Sequence, residues 1–362
     1  MNTYKKRILG IAISTFVSAP VMADSELSAG VWWVYQNGSE GDGAGEFADP
    51  AFILYADDDG SHGPWHFSSE LRVGKGSFTN PQSNNSGDNF AIHKAWLAYD
   101  FNKNTRLTVG KSQVPFGWKT SNFWPGDMLM GGYGDQMDIG AKLSSSWQDI
   151  SYQIAYYHQD DWGKTSTDST DDNGHWGSNV EGAETYRKGK TLVANADWQL
   201  ADAHTLGVSI QSGQLMDLAR YAATGEVSQQ GEHSAIDLHY MYSQAPYTVK
   251  YRSFYTERDF SDFDVCGSCP TDTVETLRHA AHLGFSQDDF YYFFELTAAQ
   301  NEHKDAATDD TVFAFAPGLI YDYGPGWLYF EYLWQDGYID QFGGVGEGDF
   351  KSLYISFDYY FN

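Results

Sequence analysis

From about residue 26 to the end of the chain, polar and apolar positions alternate with a period of two. That is the signature of strands with two unlike faces. Sixteen segments carry it: 26–36, 46–56, 64–75, 90–101, 105–113, 134–144, 149–158, 187–199, 204–213, 232–243, 247–257, 274–286, 289–300, 311–322, 326–336 and 350–361. In the last of them Leu353, Ile355, Phe357, Tyr359 and Phe361 share one face, and Ser352, Tyr354, Ser356, Asp358 and Tyr360 share the other. In 187–199 and just beyond, Leu192, Ala194, Ala196, Trp198 and Leu200 alternate with Val193, Asn195, Asp197 and Gln199; in 105–113, Leu107 and Val109 alternate with Arg106, Thr108, Gly110 and Ser112. No segment reads as a long amphipathic helix, although 119–130 leaves room for a short one.

The links alternate in length. Short turns at 102–104, 145–148, 201–203, 244–246, 287–288 and 323–325 separate longer links at 76–89, 114–133, 159–186, 214–231, 258–273, 301–310 and 337–349. The link 57–63 is longer than a tight turn where a short one is due. Sandwiches and propellers have no reason to alternate so regularly. An all-β, transmembrane, antiparallel up-and-down β-barrel of about 16 strands does, with short periplasmic turns and long extracellular loops. An even strand count brings both termini to the periplasmic side.

Periodicity alone does not say whether the apolar face looks inward or outward. The N-terminus bears on that question. Lys5, Lys6 and Arg7 precede a short apolar run, Ile8 to Val17, and Val21-Met22-Ala23 presents small or apolar residues before Asp24. This is the three-part pattern of a cleaved secretory signal, with an apolar run too short to span a bilayer. Residues 1–23 are therefore expected to be a signal peptide and 24–362 the barrel. Elsewhere no run approaches the ~18 apolar residues of a membrane helix. A mean hydropathy of −0.48 does not exclude a barrel, whose alternating faces cancel in any average.

Composition sharpens the picture. Aromatic residues make up 17% of the chain, and 37 Gly stand against only 10 Pro. Aromatic girdles and tight turns account for that profile. The formal charge is −27, which argues against nucleic acid as a partner. The acids gather in the predicted loops, as Asp57-Asp58-Asp59, Asp160-Asp161, Asp168 with Asp171-Asp172, and Asp309-Asp310. They solvate that surface; biasing entry toward cations, or binding divalent cations among lipopolysaccharide headgroups, are two further uses for them. The only two cysteines, Cys266 and Cys269, lie in Cys-Gly-Ser-Cys and are expected to form a local disulfide at a loop tip.

The final segment, Tyr354 to Asn362, resembles the C-terminal strand by which outer-membrane proteins are recognised for insertion; its last aromatic, Phe361, is penultimate where that signal usually ends on one. Ala95-Trp96-Leu97-Ala98-Tyr99-Asp100, Arg106-Leu107-Thr108-Val109-Gly110-Lys111 and Val114-Pro115-Phe116-Gly117 together look like the phosphate-selective porin O and P superfamily. In that family a strand, a tight turn, a strand and a Pro-Phe-Gly lead-in run into a folded-in loop. The likeness covers roughly residues 90–120. It implies a sixteen-stranded homotrimeric channel in outer-membrane lipid and lipopolysaccharide, and leaves the solute open.

A channel selects by width, lining charge and desolvation rather than by covalent chemistry. The candidate constriction is the third long link, 114–133, with Trp118, Phe123, Trp124, Met128 and Met130 to anchor it and Lys119 and Asp127 to face the pore. Strand parity places Arg72, Lys94, Arg106 and Lys142 on the lumen side of one wall, with Lys250, Arg252 and Arg278 on later strands. Inward acids include Glu70, Asp138, Asp197, Asp237, Glu295, Glu331 and Asp358. Two consequences are open: a field across an eyelet, or salt bridges that stiffen the wall. The eleven histidines show no metal-ligand spacing, no G-x-S-x-G nucleophile motif appears, and no cofactor is implied. The expected function is passive diffusion of small hydrophilic solutes through a porin, not enzymatic. The alternatives are a channel specific for phosphate, a dicarboxylate or a sugar (an aromatic slide in the lumen marking the sugar case), a barrel enzyme, or a secreted lectin-like β-protein.

Overall fold

The computed structural model describes residues 26–38, 45–60, 63–74, 90–122, 128–159, 186–225, 228–263, 269–302 and 308–361. The expected signal peptide lies outside them. Strands run in chain order as β1 (Glu26–Gly38), β2 (Glu46–Phe47), β3 (Ala51–Asp59), β4 (Trp65–Val73), β5 (Phe90–Asn102), β6 (Thr105–Gln113), β7 (Met137–Trp147), β8 (Ile150–Gln159) and β9 (Tyr186–Ala201). They continue as β10 (His204–Asp217), β11 (Ser228–Gln244), β12 (Tyr247–Asp259), β13 (Thr273–Gln287), β14 (Phe290–Asn301), β15 (Val312–Asp322), β16 (Trp327–Ile339) and β17 (Val345–Phe361). From β3 to β17 each strand pairs antiparallel with the next. β1 closes the ring, pairing with β17 from Ala29↔Phe361 to Gly38↔Ser352 and with β3 from Glu26↔Asp57 to Trp32↔Ala51.

β2 and β3 are one barrel strand broken at Pro50. β2 lies along the far end of β1 at Tyr35↔Phe47, and Ala48 N donates to Val34 O at 2.8 Å before the line lapses. Proline has no N–H to continue a ladder. The wall is therefore a closed sixteen-stranded antiparallel β-barrel, as the alternation predicted.

The faces are assigned by exposure. In β9, Leu192 is 54% and Trp198 51% exposed, whereas Val193 between them is fully buried. On β17, Leu353, Phe357, Tyr359 and Phe361 point out, while Ser352, Tyr354, Ser356 and Asp358 are buried inside. The largest fully buried side chains include Arg252, Arg258 and Arg278. An apolar exterior around a charged interior inverts a soluble barrel, because hydrophobic burial in water would turn Leu192 and Trp198 inward.

Three expectations are corrected. The last link is five residues, not 337–349: β17 begins at Val345, and Gly337↔Glu347, Tyr338↔Gly346 and Ile339↔Val345 extend the ladder. Its Gly-Glu-Gly composition reads as a turn, but backbone pairing overrides that preference. Asp57, Asp58 and Asp59 belong to β3 rather than to a loop, so the exceptional link 57–63 contracts to a turn with Gly60 and Gly63 at positive φ. Of the stretch 119–130, where room for a short helix was expected, the described residues 119–122 and 128–130 are not helical. Among the described residues the helix is α1 (Leu218–Thr224), where Asp217 caps by accepting from Arg220 N at 2.8 Å and Gly225 ends it in the left-handed conformation.

Candidate constriction site

The link from β6 to β7 turns inward. Residues 114–122 and 128–136 are described and bury Val114, Phe116, Trp118, Met128, Leu129, Met130 and Tyr133. Phe116, Trp118, Met130 and Tyr133 pack with Phe254, Val193 and Ala235 on one side of the bore. Met128 and Leu129 pack with Ala299, Ala314, Ala316 and Leu333 on β14–β16. The loop thus runs from its own strands to the opposite wall, held by apolar contacts at both ends.

Buried charge fixes its backbone. Arg252 donates from Nη1 to the carbonyls of Trp118 at 3.2 Å and Tyr133 at 2.9 Å, one on each arm of the loop, and from Nε to Asp237 at 2.7 Å. Gly117 (φ +64°) and Gly134 (φ +102°) flank this guanidinium. A Cβ would lie 2.5 Å from Arg252 Nη2 at the first, and 2.9 Å from Nη1 at the second. Only glycine accepts both the backbone angle and the approach. Further along, Glu295 accepts the backbone N–H groups of Ser121 at 2.7 Å and Asn122 at 3.0 Å. His282 Nδ1 lies 2.9 Å from the same carboxylate, and its Nε2 lies 2.6 Å from the Tyr291 hydroxyl. The Tyr329 hydroxyl reaches the Ser121 carbonyl at 2.9 Å and also bonds Glu331.

A second loop folds in above the first. Asp340 Oδ1 accepts from Phe342 N at 2.8 Å and Gly344 N at 2.9 Å, tightening 340–344 into a knot. The Tyr186 hydroxyl donates to Gln341 O at 2.9 Å, and Phe342 packs against Tyr186 and Phe260. Arg278 joins the two loops, from Nη1 to Met130 O at 3.3 Å and from Nη2 to Gly343 O at 3.0 Å. Burial raises the Asp340 pKa, with its two N–H donors, Arg258 and Arg278 opposing the rise.

Of the remaining predicted residues, Lys119 and Lys250 lie at the constriction loop and the others elsewhere along the wall. Arg72 pairs with Glu70 at 2.9 Å and lies over the Trp32 ring at 5.2 Å, and Lys94 stands opposite Glu70 in register. Arg106 grips Asp100 at 2.6 and 2.9 Å beside His66, which also reaches Asp59 at 3.0 Å. Lys119 pairs with Asp135 at 2.5 Å. Lys142 donates to Gln113 O at 2.8 Å, and Lys250 sits 5.3 Å from the Trp118 ring centre. Arg252, Arg278, Glu295 and Glu331 are fully buried and engaged with loop backbone or its supports, so they hold the constriction from behind instead of facing open water. Asp127, Phe123 and Trp124 lie outside the described residues. Cys269 is disulfide-bonded; Cys266 lies outside the described residues.

Sequence reasoning missed Tyr133, Tyr186, Ser209, His239, Arg258 and His282. Gly117 N donates to Ser209 Oγ at 2.9 Å, and Ser209 donates onward to Asn195 at 2.7 Å. His239 spans Asp237 at 2.6 Å and Asp197 at 2.8 Å. The available signal was parity: each buried histidine shares the inward face with a carboxylate, as in Asp237-x-His239.

No family model and no curated protein sequence matches the chain. Solved structures do. OmpT of Vibrio cholerae aligns at a TM-score of 0.59 and 12% identity, over 93% of this chain and 97% of that one. An anion-selective porin from Comamonas acidovorans aligns at 0.59 and 10%, over 93% and 99%. The outer membrane channel DcaP of Acinetobacter baumannii aligns at 0.58 and 12%, over 94% and 99%. The likeness is one of fold over nearly the whole length: this chain closes the same kind of barrel as these outer-membrane proteins.

Proposed function

We propose that the protein is a porin of the Gram-negative outer membrane through which small hydrophilic solutes diffuse passively. The observation that carries this is the pair of inward-folded loop segments 114–122 and 128–136, held in a charged bore by Arg252 and Glu295, inside a wall whose exterior is apolar. A strap of this kind narrows a water-filled channel without sealing it by secondary structure. The apolar exterior needs lipid, and the barrel leaves no unpaired strand edge within it. Residues 1–23 act as the export signal, and the partners of the outer surface are lipid and lipopolysaccharide.

The lumen charges favour a general pore over a strongly charge-selective one. Arg72, Arg106, Lys119 and Arg252 each meet a carboxylate at 2.5–2.9 Å, so much of the fixed charge is balanced locally. The protein works as a homotrimer in this reading; a Vibrio cholerae OmpT structure of the same fold is described as a trimer form. It is read as a channel, not an enzyme.

Single-channel recording in planar bilayers under a salt gradient tests this. Stepwise openings in groups of three, with a reversal potential well short of the ideal anion or cation value, are expected. Electrically silent bilayers together with a protein monodisperse without detergent would end the reading.

A further inference from the structure

Where the barrel closes, a row of aromatic rings lines the inner wall. Trp327 on β16 shares the inward face with buried Tyr329 and Glu331; Tyr360 on β17 shares it with buried Ser356 and Asp358. Trp32 lies two residues before buried Val34 on the inward face of β1, and Tyr55 two residues after buried Ile53 on that of β3. Trp327 and Tyr360 have ring centres 5.1 Å apart, and Tyr360 and Tyr55 6.1 Å apart. Tyr55 is opposite Glu70 in register, Glu70 pairs with Arg72 at 2.9 Å, and Arg72 lies over Trp32 at 5.2 Å. The four rings span three strand-to-strand steps, roughly 14 Å of wall at ~4.8 Å per step, and Glu70 and Arg72 on β4 lie one step beyond.

These rings differ from those that fill the bore. Tyr157 and Phe254 are at most 2% exposed, as packing demands, whereas Trp327 is 41% exposed and Trp32, Tyr55 and Tyr360 are half-buried. Tyr360 lies so flat over Gly30 that a Cβ there would come within 2.6 Å of its ring. A ring pressed to the wall turns its free face to the lumen.

We infer that this row is a binding track for a neutral oligosaccharide. The inference rests on the porin reading for access from both sides of the membrane, but not for binding itself. Pyranose rings present flat C–H faces that stack on aromatic π-faces, and a rim of hydroxyls that both donate and accept. Glu70 supplies acceptors and Arg72 a fork of donors beside the rings. An anion is disfavoured, since Arg72 is already neutralised by Glu70 and Asp358 faces the same strip.

The test titrates the full-length protein with maltotriose, cellotriose and xylotriose, and with sodium phosphate and succinate. Ion current in bilayers and intrinsic tryptophan fluorescence in detergent are both read. Saturable block and a saturable fluorescence change with at least one trisaccharide, and neither with the two anions, are expected. Trp32→Ala and Tyr55→Ala should each raise the half-blocking concentration about tenfold, equivalent to ~1.4 kcal/mol, while Trp32→Phe and Tyr55→Phe retain most of the affinity. The inference is overturned if no trisaccharide gives a saturable response while ion steps persist. A response unchanged in both alanine variants, or one elicited by phosphate or succinate alone, overturns it too. Absence of ion steps sinks the porin reading, and the fluorescence titration then still decides the track.

Discussion

Glu295 on β14 accepts the backbone N–H of Ser121 at 2.7 Å across 174 residues of chain. With the second bond, to Asn122, one carboxylate sets the position of the loop that narrows the bore. His282, itself bonded to the Tyr291 hydroxyl, holds that carboxylate from the other side. Glu295→Ala should strand two buried donors, at about 1–3 kcal/mol each, and let the loop move. Single-channel recordings are expected to show larger, noisier openings, with a lower denaturation midpoint. Unchanged current noise would mean that the loop is held elsewhere.

Arg252 and Asp237 form a fully buried pair on neighbouring strands. Breaking a buried pair costs about 3–5 kcal/mol, here at the Asp237 oxygen opposite Arg252, with His239 still on the other oxygen. Arg252→Met should therefore destabilise strongly and release both loop arms. Arg252→Met with Asp237→Asn should recover much of the wall's stability without recovering the loop. Urea unfolding in detergent, run as a double-mutant cycle alongside conductance, separates the two effects.

Acidification should tighten the small loop at 340–344. The folded pKa of Asp340 is raised, so the folded form holds its proton more firmly than the unfolded chain does. Stability from this group is full below the unfolded carboxylate pKa and is lost as pH rises through the folded one. Hydrogen exchange at 342–344, corrected for intrinsic rate, is expected to slow as pH falls through that window. Asp340→Asn should abolish the dependence. A variant that keeps the same pH profile would assign it to another group.

Gly30 and Tyr360 meet where the chain ends close the barrel. Gly30→Val would drive a side chain into the Tyr360 ring, whose nearest atom would lie 2.6 Å from the new Cβ. Overpacking of this kind costs about 1–3 kcal/mol. The thermal shift of heat-modifiable gel mobility should fall, and Gly30→Val with Tyr360→Ala should restore part of the loss.

The sequence alone determined the wall. A period of two over sixteen segments specifies which side chains share a face, because a strand turns each successive residue to the opposite side, and the export signal with the alternating short and long links set the apolar face outward. That is why Leu353, Phe357 and Phe361 were correctly set against Ser352, Ser356 and Asp358, and why Arg252 and Glu295 were known to point inward. What each inward group meets was decided only by closure of the barrel. Trp118 and Arg252 stand 134 positions apart, and no local spacing encodes their contact. Nor did Gly-Glu-Gly before β17 announce a strand, since its ladder is imposed by β16. Parity is a property of each segment by itself; partnership across the lumen depends on curvature, register and an inward loop, which exist only once all sixteen strands have met.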